Sequence, residues 1–103
     1  MRENDYQSAL IKRIKERFPG CFVLKNDTDY LQGVPDLLVL FRTRWAMLEV
    51  KASARSPFRP NQEYYLEQLD RLSFAAVIYP ENEEEVLNDL QQAFQSRRRA
   101  RLS

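Results

Sequence analysis

The sequence predicts an α/β (α+β) fold, a mixed sheet flanked by helices in the order α-β-β-β-α-β-α. Three observations carry that prediction. Apolar residues recur at helical spacing near both ends of the chain. Two β-favouring runs, 36–41 and 45–52, are separated by a turn only. A continuous apolar run at 74–79 follows a further helical stretch.

The elements follow in order. Tyr6, Leu10, Ile14 and Phe18 recur every four residues between Asn4 and Phe18, with Lys12, Arg13, Lys15 and Glu16 on the other face. Asn4 with Gln7 fits a capping box, and Pro19-Gly20 ends the helix. Cys21 to Lys25 reads as a strand, and Asn26 to Gly33 as a polar loop of turn-formers. Strands at 36–41 and 45–52 meet through Arg42-Thr43-Arg44. After the basic loop 53–60, Pro60 suits the first turn of a helix reaching Leu72, with Tyr65, Leu69 and Leu72 inward. The run Phe74 to Tyr79 is expected to be a buried strand rather than an edge. Asn82 with Glu85 fits a second capping box, opening a helix through Val86, Leu87, Leu90 and Phe94. There the acidic run Glu83–Glu85 suits the positive end of the helix dipole.

At 103 residues the chain is expected to be one small domain over 1–95, followed by a basic, mobile tail over 96–103. The first three strands can form an antiparallel meander, the fourth joining through a helical crossover. A net charge of +1 hides uneven patches, with Arg97, Arg98, Arg99 and Arg101 crowding the C-terminus. Arg42 and Arg44 flank the hairpin turn, and Arg55 and Arg59 bracket the next loop. The single cysteine, Cys21, excludes an internal disulfide and reads as a structural core thiol. The absence of histidine excludes Ser-His-Asp and Cys-His catalysis and His-bearing zinc sites. No apolar run reaches the ~18–20 residues that span a bilayer, and the polar N-terminus is not a signal peptide. A cytoplasmic protein without membrane contact is therefore expected.

Alternation along the 45–52 strand places Trp45, Met47, Glu49 and Lys51 on one face, and Ala46, Leu48, Val50 and Ala52 on the other. The second face is wholly apolar and belongs on the core. The first passes from apolar to charged, as a strand does when it runs from under a helix into a cleft. A tight hairpin brings Asp36 beside Glu49, subject to the register. Burying such charges is costly unless they are paired or bound to a metal. Asp36 and Glu49, with the backbone carbonyl of Val50, offer hard oxygen donors suited to Mg²⁺ or Mn²⁺. The competing reading is a surface Glu–Lys pair, with Asp36 only starting a strand.

The residues Gly33-Val34-Pro35-Asp36, then Glu49-Val50-Lys51, then Gln62 on a helix resemble the PD-(D/E)XK nuclease superfamily. They are most similar to its small VRR-NUC and Holliday-junction-resolvase-like branches, over about residues 3–79. The resemblance implies a restriction-endonuclease-like core, with Asp36 and Glu49 as metal-binding acids and Lys51 as the catalytic lysine. It gives Gln62 a supporting or phosphate-contacting role, a solvated helix glutamine being the plainer alternative. Glu3-x-x-x-Gln7 resembles the VRR-NUC opening, which makes Glu3 the first-helix acid. Alignment on the resolvase pattern puts Gln7 there instead. Lys25 and Asn26 either meet phosphate or cap a turn.

The function these expectations describe is Mg²⁺-dependent endonucleolytic hydrolysis of DNA phosphodiester bonds, leaving a 5′-phosphate as the resemblance implies. Lys25, Arg42, Arg44, Arg55 and Arg59 are the candidate phosphate-binding residues, aided by the C-terminal arginines. The small size leaves no room for a sequence-reading domain. That favours branched DNA, such as a four-way junction, cut by a homodimer that a phage could encode. The alternatives are a non-catalytic nucleic-acid-binding module on the same fold and a small structural partner with solvated charges.

Overall fold

A computed structural model of the chain describes residues 2–95. The elements are α1 (Glu3–Arg17), β1 (Phe22–Lys25), β2 (Leu37–Phe41), β3 (Arg44–Val50), α2 (Gln62–Leu72), β4 (Phe74–Ile78) and α3 (Glu83–Gln95). The fold is α+β, a mixed four-stranded sheet in the order β1-β2-β3-β4 flanked by three helices. β1, β2 and β3 form the antiparallel meander, and α2 carries the chain over to β4, which pairs parallel with β3. Among the described residues no helix is long and apolar enough to cross a membrane. The arginine-rich segment 96–103, expected to be a mobile tail, lies outside the described residues.

The α1 stripe read from the sequence is buried as Tyr6, Leu10, Ile14 and Phe18. It meets Val86, Leu87, Leu90 and Phe94 of α3 over Leu37, Val39, Ala46, Leu48 and Val50 of the sheet. Phe18, Phe41 and Phe94 close one end of this core, with ring centroids 5.3–5.5 Å apart. Cys21 is half-buried and packs against the same core, and burial pushes its thiol up, away from nucleophilic use.

Several local expectations are corrected. The first capping box does not form: Arg2 is the N-cap and makes no side-chain cap bond, while Glu3 and Asp5 complement the dipole from the first turn. Asn82 turns its side chain towards β4, accepting the Tyr79 N–H and donating to the Val77 carbonyl. The acids opening α3 do more than meet a dipole. Glu83 accepts both the Arg13 guanidinium and the Tyr6 hydroxyl, and Glu84 meets Arg17, so α1 and α3 are clasped across the core rim. α2 starts at Gln62 rather than Pro60, and Leu72, expected inward, is 74% exposed where the helix ends.

β4 is an edge strand, against the expectation of a buried one. Helices lie against β4 on either side of the sheet, and a strand covered on both faces reads as a continuous apolar run whether or not it has a second neighbour. Its free edge is blunted by side chains. Asp70 accepts the Ala75 N–H, while Asn82 takes the Val77 carbonyl and the Tyr79 N–H.

One close approach joins the loop before β2 to the start of α2. Gly33 has φ +97, and a Cβ there would lie 2.6 Å from the Asn61 Cβ and 2.8 Å from its backbone carbon. Asn61 is itself left-handed, at φ 71. Gly33→Ala therefore combines a disfavoured backbone with a collision against backbone atoms. Gly20, at φ +90 with nothing within 4 Å of an added Cβ, carries the conformational cost alone. In urea denaturation Gly33→Ala should cost at least about 2 kcal/mol, and Gly20→Ala about 1 kcal/mol. Equal losses would remove the Gly33–Asn61 contact as the cause.

Candidate functional site

The hairpin register settles where the charges meet. Leu37 pairs with Leu48 and Leu38 with Met47, so the next step of the ladder sets Asp36 opposite Glu49. The pairing continues through a side chain, because Asp36 Oδ2 accepts the Val50 N–H at 2.9 Å. Asn26 holds the other side of this corner. Its N–H donates to the Asp36 carbonyl at 2.8 Å and its side-chain amide to the Pro35 carbonyl at 2.8 Å.

Alternation along β3 then does what the sequence predicts. Ala46, Leu48 and Val50 are wholly buried in the core, and Glu49 and Lys51 point to the opposite face. The surface-pair reading fails on burial. Glu49 is 2% exposed and Lys51 5%, with Gln62 beside them at 8%. Lys51 Nζ donates to Gln62 Oε1 at 2.9 Å and to the Pro57 carbonyl at 3.0 Å, and lies 3.5 Å from Glu49 Oε2. The Gln62 amide donates to Glu49 Oε2 at 2.7 Å, and its oxygen also accepts the Arg59 N–H at 2.7 Å. Gln62 is thus the bridge between both charged groups and the loop before α2.

One atom of this network is left over. Glu49 Oε1 is buried and has no hydrogen-bond partner. A buried, unpaired carboxylate oxygen is costly and calls for a cation or a proton. Burial and, after it, the neighbouring Asp36 charge push the Glu49 carboxyl up to about 7. Burial likewise raises Asp36, against the pull of the Val50 N–H and of Lys51. Two buried carboxylates, both pushed above their ordinary range chiefly by burial, form a site that a divalent cation would relieve.

These groups open onto a cleft of about 430 Å³. Asp36, Glu49, Lys51 and Gln62 form its floor, Glu3 and Arg59 stand in its wall, and Thr28, Asp29 and Gln32 bring in the loop before β2. Of the two first-helix candidates, Glu3 lines the cleft and adds to the field that raises Glu49, whereas Gln7 is absent from the lining. Among the described residues no group of three or more His, Cys, Asp and Glu side chains stands close enough to hold a metal. The Asp36–Glu49 pair is the set of hard oxygen donors that could hold such an ion, and two carboxylates fit Mg²⁺, which commonly takes one or two with water and phosphate oxygens completing its shell.

The basic candidates separate. Arg59 lines the cleft. Lys25 is exposed at the same end of the sheet, pairing with Leu37, and Arg55 is exposed in the 53–56 turn. Arg42 and Arg44 sit at the other end of the hairpin, ~20 Å along β2 from Asp36. Arg42 packs over the Phe41 ring there. The structure does not bring them to the cleft.

Sequence reading missed the Pro57 carbonyl and the Phe58 ring, which lies 5.5 Å from Lys51 Nζ. A lone aromatic between prolines in a polar loop was the available signal. No family model matches the chain, and no curated protein matches it.

The raised carboxyls give the protein a pH signature in metal-free solution. Between pH 4.5 and about 7 the unfolded chain gives up the Glu49 proton while the folded chain keeps it. Folding stability therefore falls as pH rises through that window and levels off above it. Denaturant midpoints measured from pH 4.5 to 8 in EDTA should show this fall, and Glu49→Gln should flatten it. An unchanged slope in the variant would place the titration elsewhere.

Proposed function

We propose that the chain is a divalent-cation-dependent endonuclease of the PD-(D/E)XK kind, hydrolysing DNA phosphodiester bonds. The observation that carries this reading is the buried Glu49–Lys51 pair at the C-terminal end of β3, Lys51 one residue past it, facing Asp36 in an open polar cleft with one carboxylate oxygen unsatisfied. Breaking up a buried charge network of this kind is expensive, and a binding module has no need to build one.

Asp36 and Glu49 would hold Mg²⁺ or Mn²⁺, with Glu3 adding negative charge from the cleft wall and the Val50 carbonyl as a further donor. When bound, the cation acidifies an attacking water and neutralises charge on the phosphate. Lys51 supplies positive charge beside Glu49, where charge develops on the phosphate oxygens. Gln62 fixes both side chains, so its part is positioning. Arg59 faces a bound backbone, and Lys25 and Arg55 extend the basic path outside the cleft. Arg42 and Arg44 would serve only a long or branched substrate that reaches the far end of the hairpin. Branched DNA of four-way-junction type is the proposed substrate, cut by a homodimer. The proposed setting is the cytoplasm of a bacterial host, the protein being phage-encoded, as the family resemblance suggests.

Two outcomes test this. In thermal unfolding, Mg²⁺ or Mn²⁺ should raise the melting temperature of the wild type and leave Asp36→Asn almost unmoved. A rise that persists in the variant would place the ion elsewhere. On a panel of junction, flap and linear DNA with Mg²⁺, Lys51→Ala and Asp36→Asn should each lower cleavage by at least about 10²-fold. Binding, measured by gel shift in Ca²⁺, should persist. A wild-type protein that binds DNA but never cuts with Mg²⁺ or Mn²⁺ would sink the enzyme reading and favour a binding module.

A further inference from the structure

Two loops meet at the cleft, and each carries an aromatic ring left open to solvent. Thr28, Asp29 and Gln32 line the cleft from the loop before β2, and Arg59 and Pro60 from the loop before α2. Next to these lining residues in the chain stand Tyr30, 87% exposed, and Phe58, 41% exposed. Among the described residues Tyr30 is the most exposed large apolar side chain. The Phe58 ring centroid lies 5.5 Å from Lys51 Nζ, within reach of the reacting end of the cleft.

Neither ring is open because its backbone is loose. Asp27 closes a turn under Tyr30, its carboxylate accepting the Asp29 N–H at 2.9 Å and the Tyr30 N–H at 3.2 Å. Phe58 sits between two pinned neighbours, since the Pro57 carbonyl accepts Lys51 Nζ and the Arg59 N–H donates to Gln62 Oε1. The close approach of Gly33 to Asn61 sets one loop against the other. An aromatic ring left in water forgoes the stabilisation of burial, and here two do so on a fixed frame beside one polar cleft.

We infer that Tyr30 and Phe58 stack on unpaired bases of the strand whose phosphate enters the cleft. The substrate class is then DNA that is single-stranded or splayed at the point of cutting. Arg59, Lys25 and Arg55 offer charge to phosphates, which a duplex and a single strand both carry. The rings add what those cations lack, a flat π face that any unpaired base fits without sequence preference. Bases inside a duplex are stacked on one another and closed to such a side chain, so the rings select for unpaired nucleotides. On the endonuclease reading, on which this selectivity rests, a branched substrate is narrowed to one with unpaired bases at the branch.

The experiment measures binding of the full chain to labelled single-stranded oligothymidine in Ca²⁺ by anisotropy. Beside it runs cleavage of splayed-arm, four-way-junction and linear duplex DNA in Mg²⁺. The wild type should bind the single strand more tightly than a duplex of equal length and cut the splayed arm fastest. Tyr30→Ala and Phe58→Leu should each weaken single-strand binding about five- to tenfold, with duplex binding and melting temperature almost unmoved. Phe58→Trp should keep wild-type affinity. Oligonucleotides with one abasic site keep every phosphate and remove one base. At the positions that stack, the wild type should lose a similar factor and the variants nothing further. Variants that bind the single strand as the wild type does overturn the inference, and so does indifference to abasic sites. A wild type that cuts linear duplex or paired junction as fast as the splayed arm overturns it too, while the endonuclease reading stands. Loss on abasic sites in a protein that cuts no DNA supports the stacking and sinks the endonuclease reading alone.

Discussion

The pairing of Leu37 with Leu48 is the constraint on which the rest depends. Side chains alternate along a strand, so one step of slippage would send Ala46, Leu48 and Val50 to the open face and drive Glu49 into the core. Three fully buried apolar side chains on β3 alone, each facing α1 and α3, set the cost of that slip at several kcal/mol. The hydrophobic core therefore fixes the register, and the register fixes the site. Asp36 meets Glu49 because the strand ends where the ladder passes from apolar to charged residues. The Val50 N–H, which would otherwise lack a strand partner there, is taken by the Asp36 carboxylate.

Local periodicity made that much legible. The α1 stripe, the alternation along β3 and the short hairpin each rest on spacings of two to four residues, which a single sequence displays directly. They were enough to give the element order and the Asp36–Glu49–Lys51 juxtaposition. Gln62 was legible only through a family resemblance. Its burial needs the loop from Ser53 to Pro60 to fold back on the end of β3, and no periodicity encodes that path. The same holds for the Pro57 carbonyl on Lys51.

What was not legible depended on pairs far apart in the chain. Glu83 looked like a dipole residue because its partners, Arg13 and Tyr6, lie 70 and 77 positions away. Asn82 looked like a cap because the free edge of β4 that occupies its side chain cannot be seen from neighbouring residues. β4 itself was misplaced for a related reason: burial of a strand's faces leaves an apolar run, but freedom of its edge leaves no trace in side-chain polarity. The arginines at 42 and 44 were grouped with the cleft by charge, yet strand length carries them to the opposite end. Charge clustering in sequence is evidence of a shared surface only when the intervening chain turns back.

The unsatisfied Glu49 oxygen is the place where local consistency breaks down, and its setting says why it persists. Every other polar group of the cluster has a partner: Gln62 spends both ends of its amide, Lys51 meets Pro57 and Gln62, and Asp36 meets Val50. A fold selected for stability alone would protonate Glu49 or replace it, since a neutral isostere removes both the desolvation and the repulsion from Asp36. Retaining two carboxylates here lowers stability above neutral pH by the same electrostatics that would give the site its affinity for a divalent cation. Gln62 and Lys51 do not cancel that field. They anchor Glu49 Oε2 and leave Oε1 uncommitted, so the geometry is preorganised while the charge remains available.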